Sequence, residues 1–120
     1  MGIKNVKVDP VRGILSWDDG KDRLSFSADV DSYALDEDRN ILFVLNNIDS
    51  YPEELIILDS QGNELDKIMS PENFSFSYLS SSEDGVSIIC GGDEVVDGHW
   101  DWRFKYDYNS GLLDRVGPAR

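Results

Sequence analysis

His99 is the chain's single histidine and Cys90 its single cysteine. Together they could act as base and thiolate nucleophile, with the histidine drawing off the thiol proton. But Cys90 closes the apolar run Val86-Ser-Ile-Ile-Cys90, where a free cysteine behaves as a small buried hydrophobe. A histidine-based zinc site needs several His or Cys ligands, and the chain has one of each. Asp36-x-Asp38-x-Asn40 opens like a calcium-binding EF-hand loop. Its sixth position is Ile41 instead of Gly and its twelfth is Asn47 instead of Glu, so the pattern fails. A calcium site built from scattered carboxylates stays open. Carboxylate pairs are too numerous for any one to be singled out as a glycosidase acid and base. Phosphate-loop, dinucleotide-binding and nucleophile-elbow motifs are all missing. The reading is a protein that is not an enzyme, with no catalytic residue, metal or cofactor assigned.

The charge is more informative. The 120 residues carry 11 Lys and Arg against 24 Asp and Glu, a net charge of −13. That balance argues against a nucleic-acid backbone, whose counterions are displaced by Lys and Arg. It equally disfavours an anionic membrane surface. It suits a chain kept soluble by self-repulsion, or one whose partner is basic. A lone cysteine allows no internal disulfide, and the N-terminal MGIKNVKVDP has no apolar signal core. A reducing cytoplasm is the expected location.

Helical periodicity is almost absent, and alternation replaces it. Leu24, Phe26, Ala28 and Val30 alternate with polar residues, as do Phe74, Phe76 and Tyr78. Trp100, Trp102, Phe104, Tyr106 and Tyr108 form an aromatic ladder on one strand face. Its default place is the core, with the Trp100 end the more open. Two runs, 41–45 and 55–58, are apolar on both faces and read as central strands covered on both sides. Further strands are expected over 3–8, 13–17, 64–69, 86–90 and 112–116. Pro10, Pro52, Pro71 and Pro118 should fall between elements. The fold class is all-β: an antiparallel meander of about ten short strands forming a sandwich or bent sheet. Residues 1–116 make one domain, and 117–120 a flexible tail.

Three segments align. Ile14-Leu-Ser-Trp-Asp18, Ile56-Ile-Leu-Asp59 and Phe104-Lys-Tyr-Asp107 are each followed by a Gly turn and a returning apolar residue: Leu24, Leu65 or Leu113. The spacing of about 40 to 50 residues is that of β-propeller blades. The hairpins resemble the outer strands of such blades, which implies a partial, propeller-like arrangement as the alternative architecture. Three blades cannot close a ring of the usual size.

The longest loop candidate is Gly91-Gly-Asp-Glu-Val-Val-Asp-Gly-His-Trp100. Gly-bounded loops on rigid sheets often carry binding residues. Asp93, Glu94, Asp97 and Asp101 are therefore assigned to partner binding, with Trp100 as aromatic anchor. Asp36, Glu37 and Asp38 form a second acidic patch. In size, acidity, β character and absent signal peptide, the chain resembles the immunity proteins that bacteria encode beside polymorphic or contact-dependent toxins. No residue motif of theirs is matched, so no site is carried over. The resemblance implies an inhibitor that neutralises a basic toxin, such as a nuclease, by direct contact. The alternatives are a carbohydrate- or calcium-binding β domain and a structural or oligomerisation domain. A monomer or weak oligomer is expected.

Overall fold

The computed structural model describes residues 2–119. Eleven strands form three antiparallel sheets, and within each sheet every strand pairs with its neighbours in sequence. The first sheet holds β1 (Lys4–Asp9), β2 (Ile14–Asp18) and β3 (Arg23–Ser27). The second holds β4 (Val30–Asp36), β5 (Ile41–Ile48), β6 (Tyr51–Leu58) and β7 (Glu64–Met69). The third holds β8 (Phe74–Ser82), β9 (Gly85–Val96), β10 (His99–Tyr106) and β11 (Leu113–Pro118). The all-β, antiparallel expectation therefore holds.

The sheets stack as three layers because the middle one is apolar on both faces. Along β5 and β6, Leu42, Val44, Ile56 and Leu58 pack against Leu15 and Trp17 of the first sheet. The alternate residues, Phe43, Leu45, Leu55 and Ile57, pack against Phe76, Ile88, Cys90, Trp102 and Phe104 of the third. Period-two alternation thus feeds two cores from one sheet. The outer faces of the end sheets are polar. Ser16, Asp18, Arg23 and Ser25 lie opposite the buried positions of β2 and β3, and Ser80, Ser87, Arg103 and Lys105 lie opposite those of β8 to β10.

The hairpin turns are built on aspartates. The Asp9, Asp19, Asp36, Asp59 and Asp107 carboxylates each accept a bond from a backbone N–H two to four residues on. This is the Asx turn, which presets a hairpin. Asp19, Asp59 and Asp107 sit after the last residue of β2, β6 and β10, so the aligned hairpins are equivalent in space. The first copy is anchored by Asp19 rather than by its aligned neighbour Asp18. Five of the 24 acidic side chains therefore serve the turns.

These turns also tie the layers together. Trp17 Nε1 donates to the Ser60 carbonyl at 2.9 Å, and Gln61 Nε2 to Asp19 at 2.9 Å. Between the second and third sheets, Tyr106 donates to Asp66 and Tyr108 to Asp36, both at 2.8 Å. Burial and the Asp66 bond push the Tyr106 hydroxyl up to about 12.

Several expectations are corrected. The alternation from Leu24 to Val30 is two strands, broken at Ala28 and Asp29. There Ala28 N–H donates to the Gly13 carbonyl and Asp29 N–H to the Asn46 side chain. The strand beyond, β4, is the one missing from the sequence reading. Pro52 and Pro118 lie inside strands. Pro52 precedes the stretch of β6 that pairs with β7, and Pro118 is on an edge strand, so neither removes a needed donor. The expected flexible tail is paired instead: Trp102 opposes Pro118, and Ala119 N–H donates to the Asp101 carbonyl at 2.9 Å. Arg120 and Met1 lie outside the described residues.

Candidate functional site

The segment 91–100, expected as a loop, is a hairpin arm. β9 continues to Val96, and only Asp97 and Gly98 form the turn, with φ of 47° and 81°. Two left-handed residues in succession make the tight turn whose twist matches paired strands. Below the arm, Cys90 opposes Trp102 in the core. The register then slips: Asp101 opposes Gly91, whereas His99 opposes Val96. Gly92 to Val95 therefore face Trp100 alone, a wide bulge. Gly92 permits it, since a Cβ there would lie 2.7 Å from the Glu94 carbonyl oxygen and 3.3 Å from that of Trp100. Asp93 N–H donates to the Asn73 carbonyl at 2.9 Å and pins the bulge to the start of β8.

Asp93, Glu94, Asp97 and Asp101 are all exposed on this arm. Among the described residues none of the four has an ion-pair partner. Trp100 is 58% exposed and Val95, a residue the sequence reading passed over, is 48% exposed. The base of the arm is held firmly. Trp102 is buried, donates to the His99 carbonyl at 3.3 Å and carries the Arg115 guanidinium 4.5 Å over its ring. The His99 ring meets Trp102 edge-on at 5.8 Å. The aromatic ladder thus divides as expected: Trp102 and Phe104 are core, and the Trp100 end is open.

The second patch is not a surface patch at Asp36. That residue is 3% exposed. It accepts Tyr108 Oη at 2.8 Å, and Arg39 N–H and Nη1 at 3.2 Å each. Arg39 also lies 4.6 Å over the Tyr108 ring. Asp36 is therefore a turn and interlayer tie, withdrawn from any partner. Glu37 and Asp38 remain exposed and, with Ser81, Ser82 and Glu83, line an open cleft of about 450 Å³. This cleft lies at the Gly85 end of β9 and the arm at its Val96 end. Because the bulge adds little length, the two acidic regions are about eight strand steps apart, roughly 26 Å at about 3.3 Å per residue. They do not form one surface.

The Cys90–His99 pair is not brought together for chemistry. Cys90 is fully buried and burial pushes its thiol up to about 12, whereas His99 is exposed on the arm. A thiol held neutral there is no nucleophile. Among the described residues no group of three or more His, Cys, Asp or Glu is placed to hold a metal, and no helix is long and apolar enough to cross a membrane. In comparisons with known protein families, curated proteins and solved structures, nothing matches this chain.

Proposed function

We propose that this protein is an acidic protein-binding module of the inhibitor or immunity type, acting in the cytoplasm on a basic partner through the β9–β10 arm. The observation that carries this reading is that Trp100 and Val95, both exposed, lie on one short arm with four carboxylates that have no ion-pair partner among the described residues. An aromatic anchor ringed by polar groups is the composition of a binding hot spot. Unpaired like charges beside it would steer a cationic surface into place and reject an anionic one. The rigid base under the arm limits the ordering cost of binding. A toxin nuclease, whose substrate demands a basic surface, has the required chemistry. The carbohydrate reading is weaker, because Trp102 and Phe104 are core and leave no row of exposed rings.

The test is capture from lysate of the protein's source by the immobilised chain, at about 0.15 M and 1 M salt, where screening lengths are roughly 8 and 3 Å. The expected result is one basic protein, retained at low salt and released at high salt. Trp100→Ala should weaken it by about 2 kcal/mol or more, roughly 30-fold. Charge removal at Asp93, Glu94 and Asp97 should flatten its salt dependence. Retention unaffected by both variants refutes the arm as the binding surface.

A further inference from the structure

The outer faces of the two end sheets differ in how they use their arginines. On the first sheet, Arg23 donates to Asp18 at 3.1 Å, to the Asn5 carbonyl at 3.0 Å and to Ser16 Oγ at 2.9 Å. On the third, Arg103 has no such company. Among the described residues its guanidinium makes no ion pair or hydrogen bond, and its Nε is buried without a partner. A guanidinium has five donors in a planar fork and gives up hydration when partly buried. The Nε is closed off from solvent, so an acceptor from outside the chain would have to meet the terminal nitrogens of the fork.

The surroundings have the shape and chemistry for that acceptor. Arg103 faces an open cleft of about 400 Å³, within the size range of small-molecule sites. Register explains the lining. Tyr78, Ile89 and Arg103 stand in one row across β8, β9 and β10, and Ser80 and Ser87 are paired in the next row. Ile89 is a buried apolar floor, and Ser87, 6% exposed, offers a hydroxyl from the wall. Tyr78 stands half exposed at the mouth. Opposite Arg103 on β11 is Gly117, which has no side chain to cover the guanidinium. Pro118 and Ala119 close the rim.

The local charge selects the ligand. Lys105 is ion-paired with Asp84, whereas Arg103 acts on Asp84 through its charge alone and, among the described residues, has no ion pair or hydrogen bond. Asp101 lies on the same strand face two residues away, which penalises a dianion more than a monoanion. A planar carboxylate matches the guanidinium fork. The serine and tyrosine hydroxyls match hydroxyl groups beyond it, and the ring and Ile89 suit a sugar's apolar face. We infer that this cleft binds a small hydroxylated monocarboxylate, the chemistry of a sugar acid, with Arg103 holding the carboxylate and Ser80, Ser87 and Tyr78 the hydroxyls. This site lies apart from the arm and does not depend on the arm's role.

The experiment is calorimetric or NMR titration of the full chain with D-glucuronate, D-glucose and inorganic phosphate, each to about 10 mM, above the millimolar affinity expected for so small a ligand. Saturable glucuronate binding, at least tenfold tighter than glucose or phosphate, supports the site. Arg103→Met should weaken it at least tenfold while the fold, read by urea unfolding, is kept, because the part-exposed guanidinium has no ion pair or hydrogen bond to lose. If that variant fails to fold, Arg103→Lys keeps the charge, loses the fork and should lose most of the binding. Three results overturn the inference: no saturable glucuronate binding, equal binding of phosphate or glucose, or binding unchanged in both Arg103 variants.

Discussion

Replacing Tyr108 by Phe removes one oxygen atom and should destabilise the fold by about 1–3 kcal/mol. The size follows from Asp36. Its carboxylate is 3% exposed and accepts three bonds, of which the one from Tyr108 Oη, at 2.8 Å, is the shortest. The two from Arg39 are 3.2 Å, and the Arg39 side chain is itself half exposed, so it cannot make up the loss. The Phe ring would keep the edge contacts with Phe43 at 6.4 Å and Tyr106 at 5.1 Å. The variant therefore isolates the hydroxyl. With a urea slope of about 2 kcal/mol per M, a loss of about 2 kcal/mol moves the midpoint by about 1 M. Urea titration followed by tryptophan fluorescence reads this directly. The same pair sets an alkaline limb. Burial, then the Asp36 bond, pushes the Tyr108 hydroxyl above its ordinary value of 10.0. A raised folded value means the contribution is complete below 10.0 and fades as pH climbs beyond it. Tyr108→Phe should lose that part of the alkaline sensitivity. A variant as stable as the parent, with the same alkaline limb, refutes Asp36 as a buried tie between the layers.

Two further outcomes follow from the same turns. Trp17→Phe should cost about 2–4 kcal/mol, since it leaves the Ser60 carbonyl without its donor and a void where the larger ring stood; thermal or urea unfolding measures it, and a change under about 0.5 kcal/mol contradicts the tie. The N–H groups of Asn109 and Ser110 hold the Asp107 carboxyl below its ordinary 3.8. A lowered folded value means the stabilisation is present above 3.8 and disappears as pH falls through the folded value. Asp107→Ala should therefore unfold earlier than the parent at neutral pH, with the gap narrowing in acid; a gap independent of pH sinks the role of the charge.

Strand identity was largely legible because alternation and two-faced apolar runs report directly on sheet faces. The strand read over 64–69 matches β7 residue for residue, and the runs at 41–45 and 55–58 are the middle of the stack. β4 was hidden because its start, Val30-Asp-Ser, continues the alternation of β3 with no Gly or Pro between them. The arm read as a loop because Gly91, Gly92 and four acids look like loop composition. A bulge needs the same glycines, and only the register tells the two apart. Asp36 was misassigned for a different reason. Its partner Tyr108 lies 72 residues away, and composition cannot say which carboxylate in an acidic run turns inward. The Arg103 cleft left no signal in the sequence, since it arises from residues on four strands.

The pairing of every strand with its sequence neighbours within each sheet also shapes how the chain folds. Each sheet closes through short connections, so contact order within a sheet is low for an all-β protein, and folding should be fast for the class. Yet no sheet can mature alone. The middle one exposes apolar faces on both sides until its neighbours arrive, and each end sheet has a single apolar face to offer. Local hairpins can form early and in any order, while the transition to the native state waits for all three layers. The chain is thus modular in its connectivity and all-or-none in its stability.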